Sequence, residues 1–165
     1  MAIKQLVHVL NKLDEIHALL LESGEQKKQA LIRNDVAALN QLVHNENKLI
    51  KQIGQLEQQR AVVTNDFLLS KGYKLNDRIT VTEIAKLIFN AEEKGILLEA
   101  QERLVNTLHQ LKRLNEVNQE LVKQSLAFVE FSIDVMSGSE EDWSYRHPDQ
   151  TASKIQRSGL FDTRA

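Results

Sequence analysis

Apolar side chains recur along this chain at alternating spacings of three and four residues, the period of a helix that buries one face. The spacing predicts a first amphipathic helix from Ala2 to about Ile32, with Ile3, Leu6, Leu10, Leu13, Leu20 and Leu31 turned inward. Ser23-Gly24 lies within it, and a glycine there costs about 1 kcal/mol relative to alanine without dividing the helix. Asn34-Asp35 is the stronger break, because either side chain can cap the orphan amides of a following helix.

A second helix is expected from Asp35 to Ser70, with Leu39, Leu42, Leu49, Ile53, Leu56, Val63 and Phe67 in heptad register. At about 1.5 Å per residue it extends on the order of 50 Å, the dimension of a rod. Lys71-Gly72-Tyr73 ends it, since glycine readily takes the left-handed conformation that terminates helices. Thr80-Val81-Thr82-Glu83 has the Thr-x-x-Glu spacing of a capping box and opens a short third helix running to about Lys94. Gly95 is the expected junction with a long fourth helix, which continues to about Met136.

The fourth helix carries a seam of Leu97, Ala100, Leu104, Thr107, Leu111, Leu114, Asn118, Leu121, Ser125, Phe128, Ser132 and Val135. Asn118 and Ser125 cross this seam with polar groups. Buried there, each must find a hydrogen bond, and each can fix register against a partner or against another helix of the same chain. Glu46 and Arg60 are charged groups in the second helix's seam. They lie two heptads apart and cannot reach one another, so each is expected to find a structural partner on the first or fourth helix, with Lys12, Asp14, Asn115 and Asn118 as candidates.

Beyond Ser137 apolar residues become too sparse to offset ordering entropy. The chain is therefore expected to comprise a helical coiled-coil-like domain over 1–137 and a flexible, disordered tail over 138–165. Two apolar islands stand in that tail, Trp143-Ser144-Tyr145 and Ile155 with Leu160-Phe161, the pattern of a segment that orders on meeting a surface.

Composition agrees with an all-α class: an elongated antiparallel helical bundle of two long helices, a short third and a long fourth. One proline and six glycines among 165 residues allow long uninterrupted helices, and aromatics at 5% leave an aliphatic core. A formal charge of −2, with both signs interspersed, supplies no field to concentrate nucleic acid or anionic lipid. No stretch of 18 apolar residues occurs, so membrane insertion is not expected. The absence of cysteine fits a reducing compartment, and a cytoplasmic location is expected.

Candidate chemistry is sparse. Asp14-Glu15-Ile16-His17 approaches the Glu-x-x-His spacing of di-iron bundles, but one such pair supplies at most two ligands. There is no cysteine nucleophile, Gly-x-Ser-x-Gly elbow or glycine-rich phosphate cradle. Neither an enzyme nor a metal or other cofactor is expected.

Four groups of residues resemble one family, the FlgN-type flagellar export chaperones. The first helix with its Asn34-Asp35 break is similar to that family's N-terminal region. The run from Glu46-Asn47-Lys48-Leu49-Ile50 to Leu56-Glu57-Gln58-Gln59-Arg60 resembles its second helix. Leu114, Asn115, Asn118, Leu121, Gln124, Ser125 and Leu126 resemble its Leu-Asn-x-x-Asn-x-x-Leu-x-x-Gln-Ser-Leu signature. Tyr145 and the terminal Leu160-Phe161-Asp162 resemble its tail, although Arg146-His147-Pro148 stands where members often carry a glycine.

The resemblance implies a cytoplasmic chaperone that binds the C-terminal helices of the hook-filament junction proteins FlgK and FlgL and delivers them to the flagellar type III export gate. Client binding is expected on the fourth helix, through Leu114, Leu121, Val122, Phe128, Val129 and Phe131, with Asn118 and Ser125 fixing register. The resemblance places the export-gate contact at Tyr145, and Trp143 joins it for its aromatic area. The alternative is a constitutive structural coiled coil in which the same seams close on a second copy as a homodimer or scaffold.

Overall fold

The computed structural model describes residues 2–138, and the expected tail with Trp143 and Tyr145 lies outside them. Four helices form and no strand is found among the described residues: α1 over Ala2–Arg33, α2 over Val36–Ser70, α3 over Val81–Lys86 and α4 over Ala91–Ser137. The chain divides into two units, Met1–Val122 and Lys123–Ala165. Of the second, the described part is the end of α4 and Gly138.

Local chemistry sets the boundaries. Asn34, at φ 53°, takes the left-handed conformation that ends α1. Its amide bonds to the Leu31 carbonyl at 3.3 Å, and the Asp35 amide to that of Ala30 at 2.9 Å, which together satisfy the carbonyls a helix end leaves open. Asp35 then caps α2 by accepting from the Ala38 amide at 3.0 Å. Gly72, at φ 77°, closes α2 with the same pair of bonds, from Gly72 to Leu69 at 3.0 Å and from Tyr73 to Leu68 at 2.9 Å. The expected capping box is formed: the Glu83 amide donates to Thr80 Oγ1 at 3.2 Å and the Thr80 amide to Glu83 Oε2 at 2.7 Å.

The junction before α4 differs from expectation. α3 stops at Lys86 and α4 starts at Ala91, so the break falls at Leu87–Asn90 and Gly95 sits inside α4. Asn90 is the reason. Its Oδ1 accepts from the amides of Glu92 at 2.9 Å and Glu93 at 3.2 Å, and those two carboxylates favour the positive end of the helix.

Within the first unit, α1 and α2 are antiparallel, and α4 runs parallel to α1. Arg103 Nη2 donates to Asn11 Oδ1 at 3.0 Å, Thr107 Oγ1 donates to Asp14 Oδ1 at 2.6 Å, and Asn118 reaches Gly24, so position advances along both helices together. The core lies where all four helices meet. Ile3, Leu6, Leu10 and Leu13 from α1 pack with Phe67 of α2, Ile84 and Ala85 of α3, and Leu97 and Ala100 of α4. Each such leucine contributes about 1.5–3 kcal/mol by leaving water.

Candidate docking face on the last helix

The seam of α4 divides by where its side chains lie. In the first unit Leu97, Ala100, Leu114 and Asn118 are buried, while Leu104, Thr107, Leu111 and Leu121 are half-buried. Two residues expected to meet a client, Leu114 and Asn118, are therefore packed inside the unit. Gly24 makes this packing feasible: a Cβ there would stand 2.7 Å from Leu114 Cδ2. Asn118 Nδ2 donates to the Gly24 carbonyl at 3.0 Å, so the glycine is a notch into which α4 settles and Asn118 is the register pin. Asn118 Oδ1 is buried and finds no partner among the described residues, a cost on the order of 1–3 kcal/mol. Val122, by contrast, is 41% exposed.

Glu46 and Arg60 find partners other than the four candidates. Glu46 accepts from Ser23 Oγ at 3.0 Å and from Lys27 Nζ at 3.0 Å, which ties α2 to α1 beside the notch, one residue before Gly24 and three after it. Arg60 is held within its own helix by Glu57 at 2.8 Å. The expectation that it needs another helix overlooked that i,i+3 partner. Asp14 takes Thr107 instead, and Lys12 takes Glu15 at 2.9 Å.

In the second unit the end of α4 is a helix with apolar residues on more than one face and nothing covering them among the described residues. Leu126, Phe128, Val129, Phe131, Ile133, Val135 and Met136 are all more than half exposed. At about 100° per residue, Phe128, Phe131 and Val135 share one face, and Leu126, Val129, Ile133 and Met136 share another. Ser125 and Ser132 form the line between them. Both serines are half-buried, and Ser132 Oγ bonds back to the Phe128 carbonyl at 2.9 Å. Glu130 and Asp134 occupy the polar side. A helix that is apolar most of the way round calls for cover on those faces, and a surface of this kind marks an interaction site.

Of the expected client contacts, Val122, Phe128, Val129 and Phe131 are exposed. Leu126, Ile133, Val135 and Met136 are exposed on the same stretch and were not among the expected contacts, although their three-and-four spacing is visible in the sequence. No three His, Cys, Asp or Glu side chains gather among the described residues in a way that could hold a metal ion. His17 Nδ1 lies 2.7 Å from the Leu13 carbonyl. No described helix is long and apolar enough to cross a membrane.

Residues 1–153 match the family described as FlgN protein. The chain belongs to the FlgN family. This FlgN protein is also 31% identical over 166 residues to the uncharacterized protein YvyG of Bacillus subtilis (strain 168), with all of both chains covered. No solved structure matches it. The FlgN family is one of flagellar export chaperones that bind hook-associated proteins. An unpartnered apolar helix end is the kind of surface such a role uses, since a chaperone must cover a segment its client will later bury in an assembly.

Proposed function

We propose that this FlgN protein is a cytoplasmic chaperone that captures the C-terminal helix of hook-filament junction proteins of the FlgK and FlgL type on the exposed end of α4. The observation that carries the reading is the run of large apolar side chains from Leu126 to Met136, uncovered among the described residues. A client helix laid along the Ser125–Ser132 line would bury Phe128, Val129, Val135 and Met136 beside it, with Phe131 at its margin. The serine hydroxyls would fix its register. Helix capture needs no chemistry: anchors at helical spacing supply affinity, and release needs only a competing surface.

Leu114 and Asn118 are packed inside the first unit, where Leu121 is half-buried. That distribution favours capture over a permanent homodimeric scaffold, because the seam from Leu97 to Leu121 is already spent within the chain. Tyr145, with Trp143, is the proposed contact to the export gate, and delivery to the gate is the proposed outcome of capture.

Titration calorimetry of the full chain with a peptide from the C-terminal helix of a junction protein tests the reading. Saturable one-to-one binding is expected, and Phe131→Asp or Val129→Asp should abolish it without loss of helicity. Equal binding by both variants would refute the assignment of the face. Absence of heat with any junction-protein segment would refute the client.

A further inference from the structure

Phe89 is the most exposed large apolar residue among the described ones, at 96%. Its own surroundings make no use of the ring. Leu87 is half-buried and Ile88 packs in the core, while Asn90 caps α4, so Phe89 stands at the position just before the cap. An apolar side chain there commonly packs against the fourth residue of the helix, but that residue is Lys94 and the ring stays in water. The backbone before it is tied down, the Leu87 amide bonding to the Ile84 carbonyl at 2.9 Å and the Ile88 amide to that of Ala85 at 3.3 Å. The ring is held out on a fixed support, the form of an anchor that binding need not first order.

A hollow of about 380 Å³ opens between the end of α2, the loop after it and α3, with walls of Leu68, Tyr73, Ile79 and Leu87 and with Lys74 and Lys86 exposed beside them. Glu83 lines it too, but its carboxylate is held by the Thr80 amide and hydroxyl. An apolar cavity of about 150 Å³ suffices for benzene, so a phenyl ring fits within this one. Leu87 lies two residues before Phe89, so knob and hole are within about 7 Å along the backbone. Leu69, Tyr73 and Leu75 around the hollow are at least half exposed and add apolar surface. Charge divides in the same way. Glu92 and Glu93 follow the knob, Lys74 and Lys86 stand at the hole, and none of the four forms an ion pair among the described residues.

We infer that the protein pairs reversibly with a second copy of itself, Phe89 of each copy seated in the Leu68–Tyr73–Ile79–Leu87 hollow of the other. Because knob and hole adjoin, one two-fold axis beside Leu87 closes both contacts at once and leaves neither free for further copies. Seating the ring carries Glu92 and Glu93 of one copy toward the lysines at the other's hollow, so that unlike charges meet. The surface is a handful of side chains, short of the roughly 800 Å² per partner of a stable complex, and the pairing is accordingly weak and concentration-dependent. It draws on neither the α4 seam nor residues 123–137, and it stands apart from the client reading.

Sedimentation velocity of the full chain over a hundredfold range of concentration tests the pairing. A monomer–dimer equilibrium without larger species is expected, weakened at high salt. Phe89→Ser should leave the protein monomeric throughout, with helicity and urea midpoint unchanged because the ring is exposed in its own chain. Two further variants read the charges, Lys74→Glu with Lys86→Glu and Glu92→Lys with Glu93→Lys. Each should be monomeric alone, and an equimolar mixture should dimerise, since every knob then meets a hollow of opposite sign. Adding Phe89→Ser to both should abolish the mixed dimer. A wild-type monomer at every concentration would overturn the pairing. So would a dimer that survives Phe89→Ser, which would assign the contact to another surface such as the end of α4. A mixture that stays monomeric would overturn the charge arrangement, and growth beyond a dimer that Phe89→Ser abolishes would overturn the two-fold closure in favour of an open head-to-tail contact.

Discussion

The contact of Leu114 on α4 with Gly24 on α1 offers a perturbation whose size follows from geometry. Leu114 is 7% exposed and lies against Gly24. Truncating it to alanine removes burial worth about 2 kcal/mol and leaves a cavity that raises the loss to about 3 kcal/mol. With an unfolding entropy of about 2.1 cal/mol/K per residue over the 122 residues of the first unit, that loss corresponds to a fall in Tm of about 12 °C. Gly24→Ala in the wild-type background combines opposed effects. Alanine gains about 1 kcal/mol of helix propensity, but its Cβ would meet Leu114 Cδ2 at 2.7 Å and force that side chain to shift, at a cost of about 1–3 kcal/mol. A net change between none and a loss of about 2 kcal/mol is expected.

In the Leu114→Ala background the obstacle is gone. Gly24→Ala should then stabilise by about 1 kcal/mol, so the two substitutions couple by about 1–3 kcal/mol. Urea denaturation of the four proteins, followed by circular dichroism, measures the cycle. Additivity within about 0.5 kcal/mol would refute the notch. A Leu114→Ala loss below about 1 kcal/mol would show that this side chain is free for a client after all.

Other substitutions probe the remaining joints. Asn34→Ala should cost about 1 kcal/mol by placing a Cβ without a compensating side chain at positive φ, whereas Asn34→Gly should be neutral or stabilising, as read from urea midpoints. Glu46→Gln keeps an acceptor for Ser23 but loses the Lys27 ion pair, which is largely buried at 13% and 22% side-chain exposure. About 1 kcal/mol should be lost, and the effect should shrink in Lys27→Met, where no ion pair remains. The Thr80 amide and hydroxyl, with Lys86, hold the Glu83 carboxyl below its ordinary pKa. A lowered folded-state pKa contributes stability that is complete above the unfolded value and is lost as pH falls through the folded one. Glu83→Gln should therefore lower Tm at neutral pH, and the gap should close as pH falls through the acid range below the ordinary carboxylate value.

Much of this architecture is legible in the chain because it is written locally. Asn34-Asp35, Gly72 and the Thr80–Glu83 box each act over a few residues, and the structure places helix ends where they stand. Asn90-Ala-Glu-Glu is an equally local start signal, and Gly95 drew attention away from it, although a glycine inside a helix merely weakens it. The heptad positions of α2 and of α4 as far as Leu121 are buried or half-buried as their register implies. Periodicity could not say which element meets them, so Leu114 and Asn118 looked like part of a docking face while the notch at Gly24 looked like a weak point of α1. The link between them spans some 90 residues of sequence, and a glycine's role as a notch depends on what crosses it. Arg60 shows the converse, a residue for which a distant partner was sought when Glu57 lay one turn away. The exposed end of α4 was legible from its apolar residues, but the serine line that separates two faces emerges only when the helix is drawn round its axis.

Hydrogen–deuterium exchange of the full chain, with and without a C-terminal junction-protein helix, tests the central claim most directly. Capture on the end of α4 requires slower exchange of the amides from Lys123 to Ser137 when client is bound, with the α1–α2 hairpin around Asn34 unchanged. Protection confined to the hairpin, or saturable binding that leaves 123–137 exchanging as before, would contradict the account.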